Sequence, residues 1–155
     1  TWLRFEQIRI QEHSVPDWLQ QVFHGPQALH GAALAGGTSG YMVLQWPDGY
    51  DLSRLSRPTA ALAECTERAL ICTAARPEWG EGMLQLRSFA PQYGVEEDIA
   101  TGSAMRVLAQ YWSSRFKQLT AFQCSPEGGL LLSRHTATHG EVGGRCVSTS
   151  GGVCD

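Results

Sequence analysis

The residues best equipped for chemistry are consecutive: Glu97-Asp98-Ile99-Ala100-Thr101-Gly102-Ser103-Ala104. Acids at 96, 97 and 98 precede a run of small residues, and a long apolar-rich stretch follows. If that stretch is helical, 100–104 form its N-terminus. Small side chains leave first-turn N–H groups open, and those groups together with the helix dipole favour an anion. The hydroxyls of Thr101 and Ser103 add donors that can orient a carboxylate or phosphate. Simple capping competes with this reading: Thr101 as N-cap, with Glu96, Glu97 and Asp98 supplying dipole-favourable charge. Three acids are odd company for an anion site unless one of them moves a proton or holds an ammonium group.

The element that must carry this N-terminus is a helix expected over about 102–116. Ala104, Met105, Leu108, Ala109, Trp112 and Phe116 fill one face, and Val107 and Tyr111 add apolar groups on another. A helix apolar over most of its circumference is wrapped by other elements. The surrounding pattern supplies the wrapping. Residues 2–10 alternate apolar and polar as a half-buried strand does. A helix is expected to start at Ser14-Val15-Pro16-Asp17, to carry Trp18, Leu19, Val22 and Phe23 on one face, and to stop at Gly25-Pro26. A turn at 36–40 leads into a strand over 41–46, closed by Pro47-Asp48-Gly49. Pro58 opens a second helix bearing Ala61, Leu62, Cys65 and Ala69. Strands are expected over 70–74, around Met83, Leu86 and Phe89, and over 119–124, 130–134 and 141–147, with a fraying tail over 148–155. The sum is an α+β chain: a curved, mostly antiparallel sheet or barrel around a central helix.

Composition narrows the function classes. A net charge of -3 and scattered Lys and Arg give no stripe that would track nucleic acid. No apolar stretch is long enough to cross a bilayer, so a cytoplasmic location is expected. The five cysteines are odd in number and lack any Cys-x-x-Cys spacing. They are read as reduced core residues, with neither a disulfide framework nor a zinc site. The Gly36-Gly37-Thr38-Ser39-Gly40 cluster is a turn, since no Gly-Lys-Ser/Thr follows it. Thr1 stands where a start would place Met, so a longer parent product is expected.

Arg87-Ser88-Phe89-Ala90-Pro91, then Gly94, then residues 97–104 together resemble the pattern of the phenazine-biosynthesis-type (PhzF-like) isomerase family: R-x-F-A-P, a short Gly-bearing loop, then E-D-P-A-T-G-S-A. Tyr111-Trp112, Ser125-Pro126-Glu127-Gly128-Gly129 and Glu141-Val142-Gly143-Gly144-Arg145-Cys146-Val147 extend the likeness over roughly 70–147. One departure falls inside the motif. Ile99 stands where the family usually has Pro, which frees φ and restores an N–H without removing a chemical group.

The resemblance implies a diaminopimelate-epimerase-like fold of two similar domains, with 1–147 as the C-terminal one and 148–155 as a flexible tail or a return toward the other domain. It implies cofactor-free proton transfer on a small carboxylate-bearing substrate bound between the domains. Thr101, Gly102, Ser103 and Ala104 would hold the carboxylate, and Asp98 would be a polar or acid/base partner in the cleft. The epimerase relatives use cysteine bases, whereas the corresponding turn here carries Thr101. The family's main acid/base, a glutamate near a Gly-Asn-Pro segment of the N-terminal domain, has no counterpart, because this sequence contains no asparagine. Its catalytic histidine has no convincing match either; of the five histidines only His139, before Gly140, is worth watching. The chain alone is therefore expected to show little isomerase activity. Its partner would be the N-terminal half of the same protein or a second copy in a homodimer imitating two domains. A non-catalytic carboxylate-binding module is the remaining alternative. No cofactor or metal is implied.

Overall fold

The computed structural model describes residues 1–25 and 27–144. The expected tail over 148–155, the end of the strand expected over 141–147 and the Pro26 part of the first helix stop fall outside them. Among the described residues nine strands form one sheet: β1 (Trp2–Glu6), β2 (Ile10–His13), β3 (Gly31–Ala35), β4 (Tyr41–Gln45), β5 (Ala69–Ala75), β6 (Met83–Phe89), β7 (Gln118–Gln123), β8 (Gly129–His135) and β9 (His139–Gly144). Three α-helices among the same residues accompany it: α1 (Leu19–Val22), α2 (Leu62–Cys65) and α3 (Gly102–Tyr111). Strand order is β1-β9-β8-β7-β6-β5-β4-β3-β2. Six of the eight pairings are antiparallel; β4–β5 and β6–β7 are parallel.

The expected strand over 2–10 is two strands, and the break has a consequence for shape. β1 lies on one edge of the sheet against β9, and β2 on the other against β3. From Glu6 to Ile10 an extended chain reaches at most about 14 Å. The two edges therefore approach one another, and the sheet curls around α3 as the sequence pattern requires.

Parallel neighbours need crossover connections, and the two crossovers lie on opposite faces. α3 joins β6 to β7 on the inner face. There Met105, Val107, Leu108 and Trp112 pack with Val43, Ile71, Leu84, Leu86, Leu119 and Val142. The β4–β5 crossover, carrying a 3-10 turn at Leu52–Arg54 and then α2, covers the outer face, joined by α1. Leu19, Phe23, Trp46, Leu62, Leu70 and Phe89 form this second cluster. β5 is consequently buried along its whole length, whereas β7 alternates buried and exposed. The second cluster and β3 go beyond the sequence expectations.

α3 is shorter than expected. The α-helix ends at Tyr111, and 112–115 continue as turns. Ser113 is the reason. Its hydroxyl donates to the Gln110 carbonyl at 2.7 Å while its N–H turns to the same carbonyl at 3.3 Å. Such local bonding competes with the i→i−4 ladder. Trp112 and Phe116 still face the core or its margin, so apolar spacing outlasts the helix.

Candidate functional site

Because α3 is the crossover between β6 and β7, its N-terminus lies at the carboxyl end of β6, where the sheet leaves a crevice. The loop over 90–101 makes that connection, and the motif residues fasten it to the sheet. Arg87 on β6 grips Glu97 at both carboxylate oxygens, Nε to Oε1 at 2.7 Å and Nη2 to Oε2 at 2.9 Å. The two side chains are 7% and 3% exposed. Arg57 adds a third bond to Oε2 at 3.0 Å, and Arg87 Nη1 donates to the carbonyls of Leu52 and Leu55. Glu97 is thus neutralised and structural, and Glu96 is exposed. The oddity of three acids beside an anion site resolves: one remains at the crevice, Asp98.

β7 holds the other side of the loop. Gln123, fully buried, accepts from the Thr101 N–H at 2.7 Å and donates to the Asp98 carbonyl at 2.6 Å and to Thr101 Oγ1 at 3.0 Å. Ser125 Oγ donates to the Ile99 carbonyl at 2.8 Å, and the Asp98 N–H donates to the Ser88 carbonyl at 3.0 Å. The loop packs closely on β8: a Cβ on Gly129 would stand 3.2 Å from the Cβ of Ala100. Ile99 itself is exposed, so the departure from Pro there disturbs no packing.

Thr101 occupies the N-cap position, but its side chain does not cap the helix. Its hydroxyl donates to Asp98 Oδ2 at 2.7 Å, and its N–H is taken by Gln123. Both of its donors are committed. No acid lies in the first turn, and the first bond closing onto Thr101 is from Met105 N–H at 3.1 Å. The N–H groups of Gly102, Ser103 and Ala104 have no acceptor among the described residues, which is the condition for an anion to bind there. The contest between capping and an open N-terminus goes to the open form.

A cavity of about 220 Å³ at this end of α3 is lined by Asp98, Thr101 and Ser103, with Ser39, Gly40, Tyr41, Ala69, Ser88, Ala90, Tyr93 and Val95; Gly102 and Ala104 are not in its lining, and Ala104 is fully buried. Asp98 is the one carboxylate among these lining residues. Gly40 is required here because a Cβ would fall 2.1 Å from the Ala35 carbonyl oxygen. Tyr93, Val95 and Ile99 leave an apolar rim exposed.

A larger cavity, about 530 Å³, lies at the opposite end of α3 among Glu12, His13, His30, Gln45, Tyr111 and Arg115. It suits a carboxylate poorly, since the helix C-terminus presents carbonyl oxygens. Its best polar groups are also engaged. Tyr111 Oη donates to Gln45 at 2.6 Å, and Arg115 binds Asp48 at 2.9 Å. His139 lies apart from the motif cavity, its Nδ1 near Thr136 and Thr138 hydroxyls and its Nε2 3.5 Å from Glu141. Cys65, Cys72 and Cys124 are free thiols. Burial pushes the Cys72 thiol up and raises Cys124 to about 11, so neither is a thiolate base near neutrality. Among the described residues no cluster of His, Cys, Asp and Glu has metal-binding geometry, and no helix is long and apolar enough to cross a membrane.

Of the residues that sequence reasoning singles out, Asp98, Thr101 and Ser103 line one cavity, whereas Gly102 and Ala104 do not. That reasoning misses the bracing role of Arg87, Glu97 and Gln123. The one available signal for Gln123 is a polar residue in the inward phase of β7, after Leu119 and Ala121.

Comparison with known proteins is consistent with this architecture. The family model for phenazine biosynthesis-like proteins (PhzC-PhzF) matches residues 6–150. A Pseudomonas aeruginosa protein named as an uncharacterized isomerase is 39% identical over 105 residues, 64% of this chain and 38% of the relative. The mouse phenazine biosynthesis-like domain-containing protein 1 is 37% identical over 102 residues, 58% of this chain and 35% of the relative. A crystal structure of an Enterococcus faecalis phenazine biosynthesis protein of the PhzF family superimposes with a TM-score of 0.76 at 24% identity, covering 92% of this chain and 53% of that one. A Clostridium difficile counterpart gives 0.75 at 19% identity, covering 99% and 57%. At such identities these two establish the fold alone. The chain thus spans little more than half the length of these solved structures, and its matches span less of the curated relatives.

Proposed function

The chain belongs to the phenazine biosynthesis-like (PhzC-PhzF) family, and from that premise we propose that it is half of a cofactor-independent isomerase that moves a proton on a small carboxylate-bearing substrate. The observation that carries this reading is the open N-terminus of α3. The N–H groups of Gly102, Ser103 and Ala104 lack acceptors, and the Asp98 carboxylate lines the cavity beside them. A substrate carboxylate bonded to those N–H groups would sit where the helix dipole favours it. Ser103 Oγ adds a donor there. Thr101 contributes indirectly, by holding Asp98 Oδ2 in place. Asp98, with its other oxygen unengaged by any described residue, is the group that takes or returns the proton.

Half of the site is the natural reading for two reasons. One carboxylate lines one side of the cavity, which leaves the opposite face of a bound substrate without an acid or base from this chain. The exposed rim of Tyr93, Val95 and Ile99 suits a cleft closed by a second body, either the N-terminal half of a family-length chain or a second copy of this one. Residues 1–147 then act as the C-terminal domain. The free thiols favour a reducing, cytoplasmic setting. A non-catalytic carboxylate-binding module is the second reading, favoured by the same shortage of titratable groups in the lining.

Solvent-deuterium incorporation into small unsaturated carboxylates separates the two. The protein is assayed with this chain joined to a family-type N-terminal domain. Asp98→Asn, which keeps an acceptor for the Thr101 hydroxyl, should lower incorporation about 100-fold or more and leave carboxylate binding within about two-fold of the parent. Incorporation undiminished in that variant would remove Asp98 from the mechanism.

A further inference from the structure

Inward-facing positions on β6 follow the two-residue period of a strand: Leu84 and Leu86 pack on α3 in the inner core, and the next inward position is Ser88. An apolar residue would complete the pattern. Ser88 is only 3% exposed, yet its side chain lines the 220 Å³ cavity and its hydroxyl has no hydrogen-bond partner among the described residues. Its carbonyl is used, accepting the Asp98 N–H at 3.0 Å. Of the other hydroxyls in the lining, Thr101 Oγ1 is committed to Asp98 and Tyr93 Oη to the Glu67 carbonyl, while Ser39 and Ser103 are exposed and Tyr41 is half-buried. Ser88 differs from them in being both buried and uncommitted. It is a deeply set polar group facing a cavity with nothing from the protein to bond.

We propose that Ser88 is a ligand contact that selects, among small carboxylates, those bearing a hydroxyl close to the carboxylate; this rests on the reading of the α3 N-terminus given above. The size of the cavity supports the pairing. At about 220 Å³ it lies below the range of drug-sized ligand sites. A group that meets Ser88 and a carboxylate that meets the helix N–H groups then belong to one small molecule, a few bonds apart. Ala69, Ala90 and Val95 line the same space with apolar groups, so among its buried lining residues the uncommitted hydroxyl is that of Ser88. A hydroxyl bonded to Ser88 would exchange water for a fixed partner, whereas a ligand with only hydrogen at that position would leave the serine unpaired. A site built around such a group discriminates against ligands that lack it.

The test is a set of titrations on the full chain, following the amide signals of residues 102–104 by NMR. The probes are propanoate, 2-hydroxypropanoate and 3-hydroxypropanoate, added to wild type and to Ser88→Ala. The expected result is that one hydroxy acid binds about three- to ten-fold tighter than propanoate to the wild type, as one hydrogen bond gives. Ser88→Ala should erase that preference and leave propanoate affinity within two-fold. Thermal unfolding should be almost unmoved, since the hydroxyl bonds to nothing in the protein. A preference that survives Ser88→Ala, or no preference in a wild type that binds propanoate, overturns the assignment to Ser88 while sparing the carboxylate site. Failure of all three probes to move the 102–104 amides overturns both.

Discussion

Replacing Arg87 by alanine isolates the contribution of the bracing that holds the site. Arg87 and Glu97 are 7% and 3% exposed and joined by two bonds, and the other partner of Glu97, Arg57, is 53% exposed. Removing Arg87 leaves a carboxylate buried with one flexible partner, and it strips donors from the Leu52 and Leu55 carbonyls. Breaking a buried pair in this way costs about 3–5 kcal/mol, a large part of the roughly 5–15 kcal/mol that holds a domain folded. For a chain of this size that is a fall of about 6–20 °C in Tm. Glu97→Gln keeps an acceptor for Arg87 and should cost less, about 1–3 kcal/mol. The double variant Arg87→Met/Glu97→Met buries no charge, so it should be more stable than Arg87→Ala alone. Urea unfolding followed by tryptophan fluorescence measures all of these, and a double-mutant cycle should give a coupling of at least about 2 kcal/mol. A cost below about 1 kcal/mol for Arg87→Ala, or strictly additive costs in the cycle, would refute the reasoning that this pair anchors the loop.

Gln123→Met keeps most of the volume and removes three hydrogen bonds. It should cost about 2–4 kcal/mol, because the buried Thr101 N–H and Asp98 carbonyl lose their partners. Hydrogen exchange should accelerate selectively at the Asp98 and Thr101 amides, and unchanged protection there would contradict the bracing role. For Cys124, the folded state holds the thiol proton more tightly than the unfolded state does. That contribution is full below pH 9.0 and is lost as pH rises through about 11. The urea midpoint should therefore fall between those pH values, less steeply in Cys124→Ala, and iodoacetamide at pH 8 should label Cys72 and Cys124 far more slowly in the folded chain than in urea.

Much of this was readable in the residues, and the remainder depended on pairings across the fold. The apolar circumference of 104–116 announces a wrapped helix, and alternation marks most of the strands around it. What a linear pattern lacks is the partner. Sequence alone ranks Glu97 beside Glu96 and Asp98. Its separate fate follows from Arg87, ten positions away on β6, and from Arg57 in the β4–β5 crossover. Thr101 reads as a cap by residue type, but Asp98 and Gln123 compete for its hydroxyl and N–H and win. The helix end shifted because Ser113 satisfies the Gln110 carbonyl locally. The break between β1 and β2 was hidden because Ile8 and Ile10 both remain packed against the inner core while the chain passes from one sheet edge to the other. β3, with the small residues Gly31, Ala32, Ala33 and Ala35, carries little β-propensity and forms through pairing with β2 and β4.

The proposed chemistry requires that the first turn of α3 receive a carboxylate. Titration of the ¹⁵N-labelled chain with propanoate, against chloride at equal ionic strength, should shift the amides of Gly102, Ser103 and Ala104 saturably and ahead of all others. Amides that stay fixed, or that move no more than the rest of the surface, would contradict it.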